Sequence, residues 1–441
     1  MLLGAFAPVR SAASAHGYSE QIVHSYCEKS KCRDGGGPQA KPLLDPAGNL
    51  YVANATVLEF TRDEFGKWNE KTLYTFCSRA NCRDGIRPSV SLIMDVSGNL
   101  YGTTLLGGKY NTGLAFELLP DAERKRWTEK VLYDFCYPDG NGGCTVGNGT
   151  EWQVSGLTYA GAASGALYDG ISPLYGTTGH GGTGGSPGGT VFELTPGTPK
   201  WQETILYSFC SQTDCADGAY PTAGVILDGN GNLYGTTVDG GHGTGTPGTV
   251  FELSSNARRT QWTETVLHSF CSQSNCTDGA GPEGELVMDA SGNLLGTTVA
   301  GGSTMAGVIF KLVPNGASST ETVLYNFCSR TTNCLDGASP NSSLVLDASG
   351  NIFGVTPYGG GNNGGDSFEG SGTLFELTPS QYRVLHKFCA KQFCDDGQFP
   401  LAGVILDGAG NLYGTTRSGG KGGVGGEGHY GGTVFQFSPK D

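Results

Sequence analysis

Charge, long apolar runs and helical periodicity are scarce or missing in this chain. Charged residues make up 15% of the 441 positions, and the formal net charge is −14. No basic patch offsets this acidic excess, which argues against nucleic acid as a partner because like charges repel. No run of 18 apolar residues occurs, so no membrane-spanning helix is expected. No segment places apolar residues every 3.6 positions, which predicts essentially no helix.

Glycine, aromatic residues and cysteine are well represented. The chain has 74 glycines and 14 cysteines, and 37% of its residues are hydrophobic. Aromatic residues reach 10%, which is enough apolar material for a packed core and argues against disorder.

A unit of four strand-like phrases recurs seven times. Strand A resembles GVILD (224–228), strand B NLYGTT (232–237), strand C TVFELT (190–195) and strand D ETVLYNFC (321–328). Strands A and B flank a D-x-x-G-N turn typical of a hairpin. The third unit (154–178) is stretched and irregular. Seven such units predict an all-β, seven-bladed β-propeller of four-stranded blades.

The two ends of the chain predict how the ring closes. The sequence begins with a strand D (Gln21–Tyr26) and ends with strands A, B and C (Gly403–Phe437). Pairing these segments completes a seventh blade and removes two open sheet edges. Residues 20–441 are therefore predicted to form a single propeller. Residues 1–19 are interpreted as the remnant of a signal peptide or leader, because a short apolar run precedes Ala13-Ser14-Ala15.

The cysteines fall into seven local pairs with none left over. Each pair belongs to a different blade, so the pairs lie too far apart to converge on zinc, and none has C-x-x-C spacing. Disulfides, and hence an oxidising compartment, are predicted. The pairs are Cys27-Cys32, Cys77-Cys82, Cys136-Cys144, Cys210-Cys215, Cys271-Cys276, Cys328-Cys334 and Cys389-Cys394.

Three sets of repeated polar or aromatic residues have both a structural and a functional interpretation. Four tryptophans precede the Glu of strand D, where packing is favoured over sugar stacking. Three histidines occupy a strand-D position that holds Tyr in other units, and they are interpreted as packing residues. Six aspartates form an Asp-Gly after the cysteines, interpreted as Asx turns rather than a ring of cation ligands. These are Trp68, Trp127, Trp201 and Trp262; His24, His268 and His386; Asp34, Asp84, Asp217, Asp278, Asp336 and Asp396.

In an up-and-down blade, the B–C loops and the D–A connections share one face. The B–C loops are rich in glycine and differ between units, whereas the scaffold repeats, which is typical of a binding surface. The predicted ligand-binding residues are Tyr110, Glu151, Trp152, His180, Asp239, His242, Tyr358, His429 and Tyr430.

The combination D-x-x-G-N-L-Y-G-T-T, G-T-V-F-E-L-T-P and V-L-Y-S-F-C resembles the GloVer tandem repeat of bacterial secreted proteins over residues 20–439. The resemblance implies an extracellular repeat protein with a variable C-terminal anchor, and it supplies no catalytic residues. This sequence ends in SPKD without such a tail, so a released or partner-held protein is expected.

The sequence therefore predicts a secreted binding or structural module whose ligand is an extracellular glycan or protein, without cofactor or metal. The alternative is a polysaccharide lyase or glycoside hydrolase on the same scaffold, acting through acidic and His or Tyr residues of the loop face. Self-assembly through that face or through the blade rims is a third hypothesis.

Overall fold

The computed structural model describes residues 17–28, 36–88, 91–138, 144–145, 154–182, 188–198, 200–241, 247–316, 318–330, 333–361, 370–421 and 431–440. These residues form seven antiparallel sheets arranged as the blades of a ring. The prediction of a seven-bladed β-propeller is confirmed. No helix in the described ranges is long and apolar enough to cross a membrane.

Six blades are sheets of four strands in the order A-B-C-D. Blade 1 contains β2 (Leu43–Leu44), β3 (Leu50–Ala53), β4 (Thr56–Arg62) and β5 (Trp68–Thr75). Blade 2 contains β6 (Ile93–Met94), β7 (Leu100–Thr103), β8 (Leu114–Pro120) and β9 (Trp127–Asp134). A separate short hairpin follows, formed by β10 (Tyr137–Pro138) and β11 (Cys144–Thr145).

Blade 3 contains β12 (Leu174–Thr178), β13 (Thr190–Thr195) and β14 (Gln202–Ser208). Blade 4 contains β15 (Ile226–Leu227), β16 (Leu233–Thr237), β17 (Thr249–Ser255) and β18 (Trp262–Ser269). Blade 5 contains β19 (Val287–Met288), β20 (Leu294–Thr298), β21 (Val308–Asn315) and β22 (Ser318–Asn326).

Blade 6 contains β23 (Val345–Leu346), β24 (Ile352–Thr356), β25 (Thr373–Leu377) and β26 (Tyr382–Lys387). Blade 7 contains β27 (Ile405–Leu406), β28 (Leu412–Thr416), β29 (Thr433–Pro439) and, as its strand D, β1 (Tyr18–Ser25). The helical elements in the described residues are single 3-10 turns at Ala80–Cys82, Ala162–Ser164, Thr213–Cys215, Ser274–Cys276 and Gln392–Cys394.

The ring closes through the two ends of the chain, as predicted. β1 pairs antiparallel with β29 from Tyr18 opposite Pro439 to Ser25 opposite Thr433. Next to this pairing, the Lys440 N–H donates to the Gly17 carbonyl over 2.9 Å. The C-terminal strand of blade 7 therefore has no open edge.

The repeated Asp and Asn residues shape the A–B hairpin. In blade 4, Asp228 Oδ1 accepts hydrogen bonds from the N–H groups of Asn230 and Asn232 over 2.8 and 2.9 Å. The Asn232 side-chain amide donates to Asp228 Oδ2. Asp45, Asp95, Asp289, Asp347 and Asp407 repeat this arrangement. The motif therefore closes a turn by satisfying backbone donors, as an Asx turn does.

The strand-B glycine makes room for the blade core. A Cβ on Gly235 would lie 2.6 Å from Phe251 Cζ on the neighbouring strand C, so only glycine lets the ring pack against the backbone. The tryptophans that begin strand D are packing residues: Trp68, Trp127 and Trp201 are buried, and Trp262 is half-buried against the core of blade 4.

Adjacent blades are joined by the first threonine of the G-T-T triplet. Thr415 Oγ1 donates to the Ala40 carbonyl of blade 1 over 3.1 Å. Four other blades make the same inter-blade bond, through Thr103, Thr177, Thr236 and Thr297. Blades 1 and 6 carry Ala53 and Val355 at this position, which have no hydroxyl group to donate.

Blade 3 departs from the repeat on its inner side. Residues 154 and 158 take the place of strand A through isolated bridges to Thr178 and Tyr175 of β12. The following segment reaches blade 2, where Tyr168 donates its N–H to Met94 and accepts from the Val96 N–H. Tyr168 is fully buried. The extra residues of the third unit therefore cover the inner edge of the neighbouring blade.

Candidate functional site

The B–C loops and the D–A connections meet on one face of the ring, named here the glycine-loop face. Isolated antiparallel bridges join them in five blades, for example Ala219 with Asp239 and Ala338 with Tyr358. The topological prediction that both kinds of connection lie on the same face is therefore correct.

In each described disulfide, the backbone carbonyl of the second cysteine links the D–A connection to the B–C loop. The Cys215 carbonyl accepts hydrogen bonds from the N–H groups of Gly218 and Gly241 over 2.8 and 2.9 Å. The equivalent carbonyls of Cys82, Cys276, Cys334 and Cys394 do the same. The five disulfides Cys77-Cys82, Cys210-Cys215, Cys271-Cys276, Cys328-Cys334 and Cys389-Cys394 are present. The pairings Cys27-Cys32 and Cys136-Cys144 involve side chains outside the described residues and stay predictions.

The Asp of each Asp-Gly that the structure describes is buried and fixes the disulfide loop. Asp84 accepts hydrogen bonds from the N–H groups of Ser78 and Arg79, from the Ser78 hydroxyl and from the Tyr74 hydroxyl. Burial opposes ionisation of Asp84, but these hydrogen bonds outweigh it and hold its pKa below the ordinary value. The side chain therefore closes back over residues five and six positions earlier. The predicted Asx turn, in which the Asp would accept from the N–H two residues later, is therefore wrong for Asp84.

The Tyr or His of strand D forms a hydrogen bond with the carboxylate of the same Asp-Gly. Tyr207 and Tyr325 donate to Asp217 and Asp336 over 2.9 and 2.7 Å. His386 Nε2 lies 3.1 Å from Asp396. The interpretation of this position as structural is supported, although its role is hydrogen bonding as well as packing. Asp34 lies outside the described residues; the other five Asp-Gly carboxylates are buried and hydrogen-bonded within the fold.

Two positions on this face vary between blades while the backbone around them repeats. The first, the loop position, precedes the Gly-Gly of each B–C loop and holds Leu106, His180, Asp239, Ala300, Tyr358 or Ser418. The second, the turn position, is X in D-G-x-X-P on the D–A connection and holds Gly37, Arg87, Tyr220, Gly281, Ser339 or Phe399. Both positions have the variability of a recognition surface on a fixed scaffold.

Five of the six turn positions donate a backbone hydrogen bond to the preceding blade. The N–H of Phe399 donates to Ser371 of blade 6, and the Phe399 carbonyl accepts from Arg417 of blade 7. Tyr220 makes the same two bonds, with Gly188 of blade 3 and Val238 of blade 4. These bonds bring the turn position of one blade next to the B–C loop of the preceding blade.

Two of these junctions carry aromatic pairs. The rings of His180 and Tyr220 lie 5.0 Å apart, and those of Tyr358 and Phe399 lie 6.1 Å apart. These separations are normal for interacting rings. Tyr358 stays 44% exposed. The two pairs lie at the 3/4 and 6/7 junctions, three blades apart around the face.

The aromatic side chains occupy backbone positions that suit other residues better. All six turn positions have positive φ, which is 58° at Tyr220 and 56° at Phe399. Phe393, 65% exposed, has φ of 59° just before Cys394, where other blades place Asn81, Asp214 or Asn275. Asn, Asp and glycine tolerate this left-handed conformation, whereas bulky residues adopt it at a cost. Residues kept in such conformations cluster at functional sites.

Four of the nine predicted ligand-binding residues lie in the described ranges. His180, Asp239 and Tyr358 occupy loop positions. Tyr110 lies further along the B–C loop of blade 2, half-buried under the Lys109 ammonium group, 4.7 Å from its ring centre. The remaining five lie outside the described residues: Glu151, Trp152, His242, His429 and Tyr430. The assignment of all nine to a ligand stays a prediction.

The turn position was not among the residues predicted from the sequence. Its signal was the one variable residue inside the otherwise regular D-G-x-X-P motif, and it would have added Arg87, Tyr220 and Phe399. A second signal was Phe393, which replaces Asn or Asp before the cysteine.

Residues 150–368 match the Gloeobacter/Verrucomicrobia repeat. They belong to this GloVer repeat family. The match covers blades 3 to 5 and the first two strands of blade 6, and the same motifs continue into the remaining blades. No curated protein matches the chain.

Three similar solved structures cover most of this chain. A putative oxidoreductase (glucose dehydrogenase) from Thermus thermophilus is 13% identical, with 96% of this chain and 100% of that chain covered and a TM-score of 0.37. A protein from Dyadobacter fermentans is 12% identical, with coverage of 79% and 94% and a TM-score of 0.38. Trypanosoma rangeli sialidase is 10% identical, with coverage of 90% and 60% and a TM-score of 0.41.

Proposed function

We propose that this GloVer repeat protein is a secreted binding module that holds an extracellular carbohydrate polymer on its glycine-loop face. The observation that carries the proposal is the presence of bulky aromatic side chains at left-handed turn positions where the fold accepts glycine. The backbone gains nothing from Phe399 that Gly281 does not provide at the equivalent position of the 4/5 junction. The side chain is therefore best explained by what it contacts.

The distribution of the aromatic residues favours a carbohydrate over a protein partner. Protein interfaces have a continuous apolar centre surrounded by a polar rim. Here the two aromatic pairs are separated by junctions that carry Asp239 with Gly281 and Ala300 with Ser339. Separate aromatic platforms on a polar, glycine-rich surface suit stacking against successive sugar rings. A chain lying across the face would meet both pairs.

Secretion is part of this proposal. The five disulfides in the D–A connections that the structure describes are consistent with an oxidising compartment. An extracellular polymer would be accessible to the protein there.

The test is a glycan array followed by affinity electrophoresis in soluble polysaccharides, using the intact protein and Phe399→Gly. Glycine is compatible with φ of 56°, so the variant should unfold at the same temperature or slightly higher. Loss of a stacking ring should weaken binding about 10-fold, corresponding to roughly 1.4 kcal/mol. Phe393→Asn should behave in the same way.

The matched control is Ser339→Gly, which makes the same backbone change at a junction without an aromatic pair. It should leave binding unchanged. If Phe399→Gly lowered the melting temperature and left affinity unchanged, the ring would be a packing residue and the proposal would be wrong. Binding of a protein partner, with no glycan bound, would also overturn the carbohydrate assignment.

A further inference from the structure

Around the outside of the ring, three side chains recur at the junctions between blades. A Tyr or His of one strand D meets the Asp of the following Asp-Gly, and strand D of the next blade contributes a third residue. At the 6/7 junction these residues are His386 on β26, Asp396, and Glu20 on β1. His386 Nε2 lies 3.1 Å from Asp396 Oδ2 and 3.9 Å from Glu20 Oε1.

We propose that His386, Asp396 and Glu20 form a binding site for a divalent transition-metal ion, with Zn²⁺ the best fit. Their donor atoms all lie within 4.8 Å of one another, and no other such group of three occurs in the described ranges. One imidazole and two carboxylates are typical zinc ligands. Zinc bonds of about 2.0–2.1 Å place tetrahedral ligand atoms roughly 3.3 Å apart, and the two observed separations of 3.1 and 3.9 Å lie on either side of this value. Water would complete the four positions.

An unsatisfied acceptor points into the site. The Glu20 side chain is only 9% exposed. Its Oε1 atom is buried without a hydrogen-bond partner among the described residues, which is unfavourable for a carboxylate oxygen unless a cation or proton approaches it. The other oxygen, Oε2, is paired with the Lys391 ammonium group. Oε1 is therefore the atom left available for a metal ion.

The remaining members are held in place by the fold. Asp396 is fully buried and accepts hydrogen bonds from the N–H groups of Ala390 and Lys391. The His386 ring is fixed between Phe388 and Phe437, with ring centres 4.9 Å from both. To bind a metal ion, Nε2 must be unprotonated, so the imidazole would carry its proton on Nδ1. The bond between His386 and Asp396 would then be replaced by two bonds to the ion.

The equivalent residues at other junctions form the hydrogen bond to the Asp without supplying three metal ligands. Tyr74, Tyr207 and Tyr325 replace His386 and donate a hydrogen bond to the same Asp. At the 4/5 junction, His268 lies 3.3 Å from Asp278, but Glu321 does not come close enough to complete a set of three. A Tyr is therefore enough to complete the hydrogen bonding of the Asp, whereas the 6/7 junction brings together one imidazole and two carboxylates.

The location gives the metal ion a structural consequence. Glu20 belongs to the N-terminal strand that completes blade 7, while His386 and Asp396 belong to blade 6 and the connection that follows it. An ion bound here would tie the closing strand to the neighbouring blade.

The test is titration of the EDTA-treated, full-length protein with ZnCl₂ by calorimetry, together with thermal unfolding at each zinc concentration. One ion per chain should bind, and the melting temperature should rise with zinc and fall back with EDTA. His386→Tyr should keep the hydrogen bond to Asp396 and weaken zinc binding by at least about 10-fold. Glu20→Gln should do the same.

The matched control is His268→Tyr, which should bind zinc like the original protein. Lys391→Met removes the competing ammonium group and should tighten binding. If His386→Tyr does not fold, Glu20→Gln and the visible absorption of the Co²⁺-loaded protein decide the question, since a tetrahedral site gives intense bands. Absence of zinc-dependent stabilisation in the original protein, or equal affinity in Glu20→Gln, would refute the site.

Discussion

Glu264 should make the propeller less stable as the pH rises through neutrality. This residue lies on β18, facing Tyr207 and Asp217 at the junction with blade 3. Its Oε1 atom is buried with no hydrogen-bond donor among the described residues. Burial, followed by the nearby charge of Asp217, raises the pKa of Glu264 from 4.5 to about 7. The pKa of Tyr207 is itself raised to about 12, so that hydroxyl stays neutral near pH 7.

Proton linkage determines the direction of this effect. Because the folded-state pKa is raised, the folded protein binds more protons than the unfolded chain between about pH 4.5 and 7. The stabilising contribution is complete below pH 4.5 and is lost as the pH rises through 7. With about 1.4 kcal/mol per pKa unit, the loss is at most roughly 3 kcal/mol. At about 2.1 cal/mol/K per residue over some 420 residues, this corresponds to about 3 °C in melting temperature.

The assay is thermal unfolding of the original protein and of Glu264→Gln at pH 5 and pH 8 in buffers of equal ionic strength. Between pH 5 and pH 8, the melting temperature of the original protein should fall by about 3 °C relative to that of the variant. Glu64→Gln, an exposed site in the C–D turn of blade 1, is the control and should track the original protein. A difference between Glu264→Gln and the original protein that does not change with pH would refute the reasoning.

Further predictions concern closure, packing, the tryptophans and the disulfides. Deletion of residues 1–25 removes β1 and exposes β29, so size-exclusion chromatography should show aggregation; an unchanged monomer with unchanged melting would contradict the closure. Gly235→Ala brings a Cβ to 2.6 Å from Phe251 and should cost about 1–3 kcal/mol in urea unfolding, with no loss if the blade can relax. Trp201→Ala should cost about 3 kcal/mol or more of stability, whereas Trp152→Ala should weaken ligand binding by about 2 kcal/mol with little change in melting; equal melting losses would make Trp152 a core residue. Non-reducing peptide mapping should show the seven local cysteine pairs, and free thiols would contradict them.

The architecture could be predicted from the sequence because each local signal agrees with the others. Strand D at the start and strands A to C at the end imply a closed ring, and β1 does pair with β29. The D-x-x-G-N turns are backed by specific hydrogen bonds, as at Asp228. Such agreement between levels is typical of a sequence that specifies a single fold.

From the sequence, the candidate binding site could be predicted only as one face of the ring, and not as a set of residues in contact. Which residues vary in the B–C loops is visible in the repeat, but the pairing of Tyr358 with Phe399 joins positions in different blades. The left-handed backbone at Phe399 is equally hidden, because a residue before proline is expected to be extended. The Asp-Gly motif predicts an Asx turn, but Asp84 accepts hydrogen bonds from residues that precede it. These features depend on contacts, either between blades or within a loop, that the repeat pattern does not reveal.

The pairing of β1 with β29 also determines how the molecule would respond to mechanical force. Tyr18 lies opposite Pro439, so chain segments attached at the two ends would leave the ring side by side. Tension between them would pull at one end of the antiparallel pair and open its hydrogen bonds one after another, as a zipper opens. Shear, in contrast, would load all of them together. The seam that closes the ring would therefore open first under such a load, and tension would reach the glycine-loop face only after blade 7 had opened.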